Sequence, residues 1–420
     1  MRDAGHGGAE VESHKRGTVG PVTRHATIFP RLTRGLAVLG LAGAATGCVD
    51  RVLYLGGECG DGRLGPGDVC LSADSATQYP VGQITPLSLR GADFTGDGAT
   101  DALVMGTDAT GAVAGVTLIN PGDGTLGEPV NAGLFGCSAH PVPGPVNAEP
   151  PTDLLVDECA ESVSLFVGVG DGTFTGPASI FVGVSTRSSG LIDVTMDGAA
   201  DLLVLGSLSD GLPALSVATQ GATGFSGPDL LLVDRLDDAP FEPTGFGVLD
   251  AADDPRAVLI DPTRQGGVAV VESSPAGAVL RSIGLSFTPR GLTVADWDND
   301  GTDELLVTSA DTGALLTLEL GVGLPAERME ETPSTVTPLM QQVTDIDNDG
   351  NLDVVMSEAG STQLHVWLGL GDGGFQEPLA LDVGLVPEQF FIADMNGDDA
   401  PDLVAIQFSA GTVTVVLSEP

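Results

Sequence analysis

The sequence predicts an all-β fold, a seven-bladed β-propeller of four-stranded antiparallel blades, and three observations carry that prediction. First, 60 Gly and 28 Pro in 420 residues punctuate the chain too often for a helical protein. Second, one acidic nonapeptide recurs: "DFTGDGATD" (93–101), "DVTMDGAAD" (193–201), "DWDNDGTDE" (296–304), "DIDNDGNLD" (345–353) and "DMNGDDAPD" (394–402). Third, each copy leads directly into a short apolar run, "ALVM", "LLVL", "LLVT", "VVMS" or "LVAI", which is the length and composition of a buried strand.

The N-terminus differs in kind. Arg31 and Arg34 precede "GLAVLGLAGAATG", an apolar stretch too short to span a bilayer but suited to a signal segment. The tetrapeptide "ATGC" (45–48) resembles the lipobox of bacterial lipoproteins, which implies lipidation of Cys48 and removal of residues 1–47; an ordinary cleaved secretory signal is the other reading. Residues 48–75 then form a cysteine-containing linker before a propeller spanning 76–420. Beyond Cys48 four cysteines remain, Cys59, Cys70, Cys137 and Cys159, an even number suited to an oxidising compartment. Proximity alone pairs Cys59 with Cys70 and Cys137 with Cys159, although four cysteines allow three connectivities. Zinc would need C-x-x-C pairs, which are absent.

Two eroded copies, "PVNAEPPTD" (145–153) and "DAADDPRAV" (250–258), fill the gaps, so copies start at 93, 145, 193, 250, 296, 345 and 394, a period of about 49 residues. Each period holds a third strand-like run such as "VTLIN" or "LHVWLGL". In three periods a glycine turn ("PGDGTL", "VGDGTF", "LGDGGF") precedes a fourth run. Four short strands per period make a propeller blade, and seven blades can close. The last copy stops at "GTVTVVLSEP" after three strands, and "TQYPVGQIT" (77–85) resembles a fourth strand; the N-terminal strand is expected to complete blade 7 and remove the open edges.

The loops themselves begin like a calcium-binding EF-hand, with alternating acids and a glycine. That reading fails in "DIDNDGNLD", because position twelve is Met356 rather than Glu and the flanks are strand-like. The pattern D-x-D-x-D-G-x-x-D followed by an apolar pair, with "GDGTF" between copies, instead resembles the FG-GAP or VCBS repeats of integrin α-subunit propellers and bacterial surface proteins. The resemblance implies calcium held by side chains at loop positions one, three, five and nine and by the backbone carbonyl of position seven. Carried onto this chain, blade 5 would use Asp296, Asp298, Asp300, Thr302 and Glu304; blade 6, Asp345, Asp347, Asp349, Asn351 and Asp353; blade 7, Asp394, Asn396, Asp398, Ala400 and Asp402. Blade 1 (Asp93, Thr95, Asp97, Ala99, Asp101) and blade 3 (Asp193, Thr195, Asp197, Ala199, Asp201) place a neutral hydroxyl at position three and are expected to be weaker.

Oxygen-only donors suit a hard cation, and a flexible loop suits calcium better than magnesium. The plainer alternative is an Asp/Gly turn without metal. Against it, converging carboxylates repel one another by about 1 kcal/mol per pair even in water-like surroundings. In the two eroded copies, Pro150 and Pro151 stiffen one hairpin and Arg256 supplies positive charge to the other.

With 58 acidic against 16 basic residues and Lys15 as the only lysine, nucleic acid is excluded as a partner. After Cys48 only His140 and His365 remain, and no H-E-x-x-H, G-x-S-x-G or P-loop occurs. His365, in "LHVWL", reads as a core or channel-lining residue. The leading expectation is a monomeric, calcium-stabilised surface lipoprotein of the cell envelope or outer membrane, acting as a binding or adhesion module for a protein or glycan. It would be secreted if Cys48 is not acylated. A propeller enzyme acting on polysaccharide and a purely structural protein are the alternatives. With 4% aromatic residues, nothing specifically favours a lectin.

Overall fold

The computed structural model describes residues 59–419 except 61–63, 145, 147–149, 194, 196, 222–223, 238, 250–255, 275–276, 321–325 and 335. The signal segment 1–47, Cys48, and Asp250 and Asp254 of the fourth copy lie outside the described residues. Seven four-stranded antiparallel sheets follow one another along the chain, and no described residue is helical. Blade 1 comprises Thr85–Ala92, Asp101–Thr107, Val113–Leu118 and Val130–Leu134; blade 6 comprises Pro338–Thr344, Asp353–Glu358, Gln363–Trp367 and Leu379–Asp382. The first strands of neighbouring blades touch, which places them innermost in the ring.

Blade 7 combines Gln389–Ala393, Asp402–Gln407 and Thr412–Ser418 with the N-terminal strand Leu71–Pro80, which pairs from Ala76↔Val416 to Pro80↔Thr412. This strand starts and ends earlier than the sequence suggests; Val81, just after it, donates to the Gly411 carbonyl and is buried at the boundary of blades 7 and 1. Both ends of the ring therefore meet within one sheet, and neither is left as an open edge.

The second strands explain why their apolar runs do not alternate. In blade 1, Ala102 and Val104 pack against Val404, Ile406 and Val413 of blade 7, whereas Leu103 and Met105 pack against Leu154 and Val156 of blade 2. The same division recurs around the ring, giving seven buried clusters at seven blade boundaries. A strand covered on both faces reads as a continuous hydrophobic run.

Blades 1, 3, 5 and 6 each carry a bulge near the start of the first strand, at Leu87, Arg187, Arg290 and Leu339. Pro86, Pro289 and Pro338 sit beside three of these bulges, where no ladder hydrogen bond is forfeited.

The disulfides Cys59–Cys70 and Cys137–Cys159 both form, as proximity predicts. Cys137 lies between blades 1 and 2, and Cys159 lies in the hairpin joining the second and third strands of blade 2. Both connections are at the face opposite the acidic loops, so this disulfide staples that face.

Candidate metal centres

Each acidic loop joins the first strand of a blade to the second, and the strand register sets its span: Ala92↔Asp101, Ile192↔Asp201, Ala295↔Glu304, Thr344↔Asp353 and Ala393↔Asp402. All five loops share one face. Inside the loop, the position-one carboxylate gathers backbone amides. Asp345 accepts from Asp349 and Gly350, Asp296 from Asp300 and Gly301, and Asp193 from Asp197 and Gly198. Asp93 accepts from Thr95, Gly96 and Gly98, and Asp394 from Asn396 through Asp399.

The position-five carboxylate accepts the amide of position seven in every loop: Ala99 to Asp97, Ala199 to Asp197, Thr302 to Asp300, Asn351 to Asp349 and Ala400 to Asp398. This winding needs left-handed backbone at positions four and six. Asn348 (φ 53°) and Gly350 (φ 91°) supply it in blade 6, and Gly397 and Asp399 in blade 7.

Position nine behaves differently. Asp101, Asp153, Asp201, Glu304, Asp353 and Asp402 are all buried, at 0–3% exposure. Asp353 accepts the Ile346 amide on one oxygen (2.7 Å) and the Gly369 amide on the other (2.7 Å). Asp402 does the same with Met395 and Ser418, Asp101 with Phe94 and Asn120, and Asp201 with Thr195 and Gln220. This acid thus ties the loop to the end of the third strand. It persists as Asp153 in blade 2, where it accepts the Gly168 amide. In blade 4 the pair Leu249↔Arg256 puts Arg256 in its place. That loop is two residues shorter than the nonapeptide alignment assumes, which corrects the expected position nine from Val258 to Arg256.

Two loops bring three carboxylates within 4.8 Å of one another: Asp296, Asp298 and Asp300 in blade 5, and Asp345, Asp347 and Asp353 in blade 6. Among the described residues no other His, Cys, Asp or Glu trio does so, and Asp349 stands outside the blade 6 trio. In blade 7 the position-three residue, Asn396, donates to Asp398. In blade 1, Thr95 Oγ1 leans on Asp93 at 3.4 Å. The residues fit a hard cation: Glu304 Oε1 is buried without a hydrogen-bond partner beside the blade 5 trio, an oxygen that a cation would satisfy.

Burial, reinforced by repulsion from neighbouring aspartates, pushes several of these acids up. Asp353 rises to about 8, Glu304 to about 7, and Asp347, Asp101 and Asp402 to about 6. Backbone amides work in the opposite direction without overcoming burial.

Adjacent loops are laced together. Gly373, in the glycine turn of blade 6, donates to the Trp297 carbonyl of the blade 5 loop at 3.2 Å, and Asn299 Nδ2 reaches Asn351 Oδ1 at 2.9 Å. Asn348 Nδ2 donates to the Asp399 carbonyl, joining blades 6 and 7. Gly124, in the glycine turn of blade 1, donates to Met395 of blade 7 at 2.8 Å, and Thr152 of blade 2 donates to Asp93 of blade 1 at 2.9 Å. The glycine turns therefore dock on the preceding blade's acidic loop, a role not apparent from their sequence alone.

The two histidines lie elsewhere. His365 is on the third strand of blade 6, with Nε2 at 3.8 Å from Glu358, so it does not line an innermost strand. Burial, then the charge of Arg90, lowers the pKa of His140.

Residues 345–405, the blade 6 loop through the blade 7 second strand, match the family described as the FG-GAP-like repeat. No curated protein matches the chain. Among solved structures, BBS1N in complex with ARL6DN aligns at 10% identity and a TM-score of 0.54, covering 83% of this chain and 97% of that one. The BP39L lectin from Burkholderia pseudomallei aligns at 13% identity and a TM-score of 0.52, covering 84% and 98%. At such identity these likenesses show the fold.

Two outcomes are expected. Asp353→Ala strands the buried Ile346 and Gly369 amides and should cost about 3 kcal/mol, at roughly 1–3 kcal/mol for each unsatisfied group. Denaturant unfolding in excess chelator isolates this effect from any metal, and wild-type stability there would refute the pinning role. The raised pKa values mean that the metal-free folded chain holds protons which the unfolded chain has already released. Its stability is then full below the ordinary carboxylate range and is lost as pH rises through about 6 to 8. A cation favours the ionised acids, so melting curves across this range should show a calcium effect that grows with pH; a pH-independent effect would contradict it.

Proposed function

We propose that this seven-bladed FG-GAP propeller is a calcium-stabilised binding or adhesion module, carried at the cell surface by a lipid on Cys48. The observation that supports it best is the division of labour between its two faces. One face is given over to acidic loops whose carboxylates converge in blades 5 and 6 and whose backbones are laced from blade to blade. The other carries mostly shorter connections and the Cys137–Cys159 staple, a stiffened surface on which a partner can be recognised.

Asp296, Asp298, Asp300 and Glu304 would hold calcium in blade 5, and Asp345, Asp347 and Asp353 in blade 6. The blade 7 loop, expected from the sequence to rank with these two, would instead join those of blades 1 and 3 as a weaker site, since its Asn396 turns a donor toward Asp398. Calcium supplies the positive charge that these converging acids require. Extracellular modules of this kind bind with Kd of about 10⁻⁴ to 10⁻³ M. At ten times Kd each site contributes about 1.4 kcal/mol, so five would contribute about 7 kcal/mol, comparable with the stability of a whole domain. Calcium would therefore act as part of the fold rather than as a signal.

The partner is a protein or glycan, and the lectin of similar fold supports the idea that such a ring can present a binding surface. The basic residues and the apolar run before Cys48 support export with a lipid anchor.

Melting the full chain with calcium and with excess chelator is expected to show a large loss of thermal stability without the ion; equal melting temperatures would sink the calcium reading. Mass spectrometry of protein taken from its native cells is expected to find an acylated N-terminal Cys48, and a mature chain beginning elsewhere would refute the anchor.

A further inference from the structure

The blade 5 and blade 6 loops are close in sequence yet differ in their surroundings. Position nine is buried in both, as Glu304 and Asp353, but at position three Asp298 of blade 5 is half-buried whereas Asp347 of blade 6 is buried. The difference comes from a distant part of the chain. The amide of Gly67 donates to Asp347 Oδ2 at 2.6 Å in a buried contact spanning 280 residues of sequence. Gly67 has φ 88°, a left-handed conformation that glycine adopts without strain.

Val69 and Leu71 pack in the same cluster as Ile346, the second residue of the blade 6 loop. Asp68, between them and Gly67, is 8% exposed, and its Oδ1 has no hydrogen-bond partner. The ends of this segment are tied down twice. Gly60 donates to the Glu419 carbonyl and Glu419 donates to the Cys70 carbonyl, both at 3.1 Å, while the Cys59–Cys70 disulfide joins the two anchors.

We propose that residues 64–70, held by the Cys59–Cys70 disulfide, are a cover over the blade 6 loop that makes it a slowly exchanging calcium site, while the uncovered blade 5 loop exchanges freely. The proposal rests on the calcium reading above. A buried ion leaves only when an incoming oxygen can reach it, so release waits for the cover to lift, and the population of that open state sets the rate. The disulfide keeps the open state rare by holding the cover close to its seat even when the Gly67 contact breaks. The buried, unpartnered oxygen of Asp68 gives the cover a further electrostatic reason to stay closed over a cation.

The test is calcium release from the loaded full chain, mixed rapidly with a fluorescent chelator. Two phases are expected, the slow one at least about tenfold slower than the fast. Asp347→Asn should abolish the slow phase and Asp298→Asn should remove amplitude from the fast one. Replacing both Cys59 and Cys70 by Ser should accelerate the slow phase towards the fast, whereas replacing Cys137 and Cys159 by Ser should leave it unchanged. Val69→Asp loosens the seat without touching a cysteine or a loop acid, and it should also accelerate the slow phase if the cysteine variant does not fold. A single phase in the native chain, or a slow phase that survives intact in a folded cover variant, overturns the proposal. A native chain that binds and releases no calcium overturns the calcium reading, and the cover's role in exchange with it.

Discussion

The structure depends on a buried carboxylate that accepts two backbone amides. At loop position nine, an acid closes the hairpin between the first and second strands and, with its other oxygen, holds the segment leaving the third strand. Burying an acid is costly unless its oxygens are occupied, and in Asp101, Asp201, Asp353 and Asp402 both oxygens lie where an amide would otherwise lack an acceptor. The acid and the loop geometry are therefore mutually dependent. Asp153 shows that this need outlasts the loss of other loop acids, since blade 2 keeps it although positions one and three are no longer acidic.

From this local pin the ring is assembled by two kinds of contact. Apolar second strands interleave at every boundary, without direction and with much of the energy. Hydrogen bonds between loops then set the rotation of one blade on the next. Gly373 on Trp297 and Gly124 on Met395 are the same contact made at two boundaries, each from a glycine turn to the second residue of the preceding loop. A cation in one loop would stiffen the carbonyl on which the next blade rests.

Much of this is legible in the sequence because it repeats. Seven acidic or eroded nonapeptides at a regular interval disclose the blades, the continuous apolar run after each one marks a strand buried on both faces, and the missing fourth strand of the last copy points to closure from the N-terminus. The disulfides follow from proximity. What could not be read is what occurs once or passes through the backbone. Gly67 reaches Asp347 through a main-chain amide that leaves no side-chain signature. Arg256 occupies the ninth position only because its loop is two residues shorter, and length changes are invisible until strand register is known. The double duty of position nine is likewise hidden, since a metal ligand and an amide acceptor are the same residue type.

The strand Leu71–Pro80 has a temporal consequence. It is among the first parts of the propeller to leave the ribosome, yet its partner, Thr412–Ser418, is nearly the last. The ring cannot shut until the whole chain is present, so its final folding step joins segments more than three hundred residues apart, the kind of long-range closure that slows folding. The blades in between can each form as they are made, but the sheet that locks them into a ring is completed only at the end.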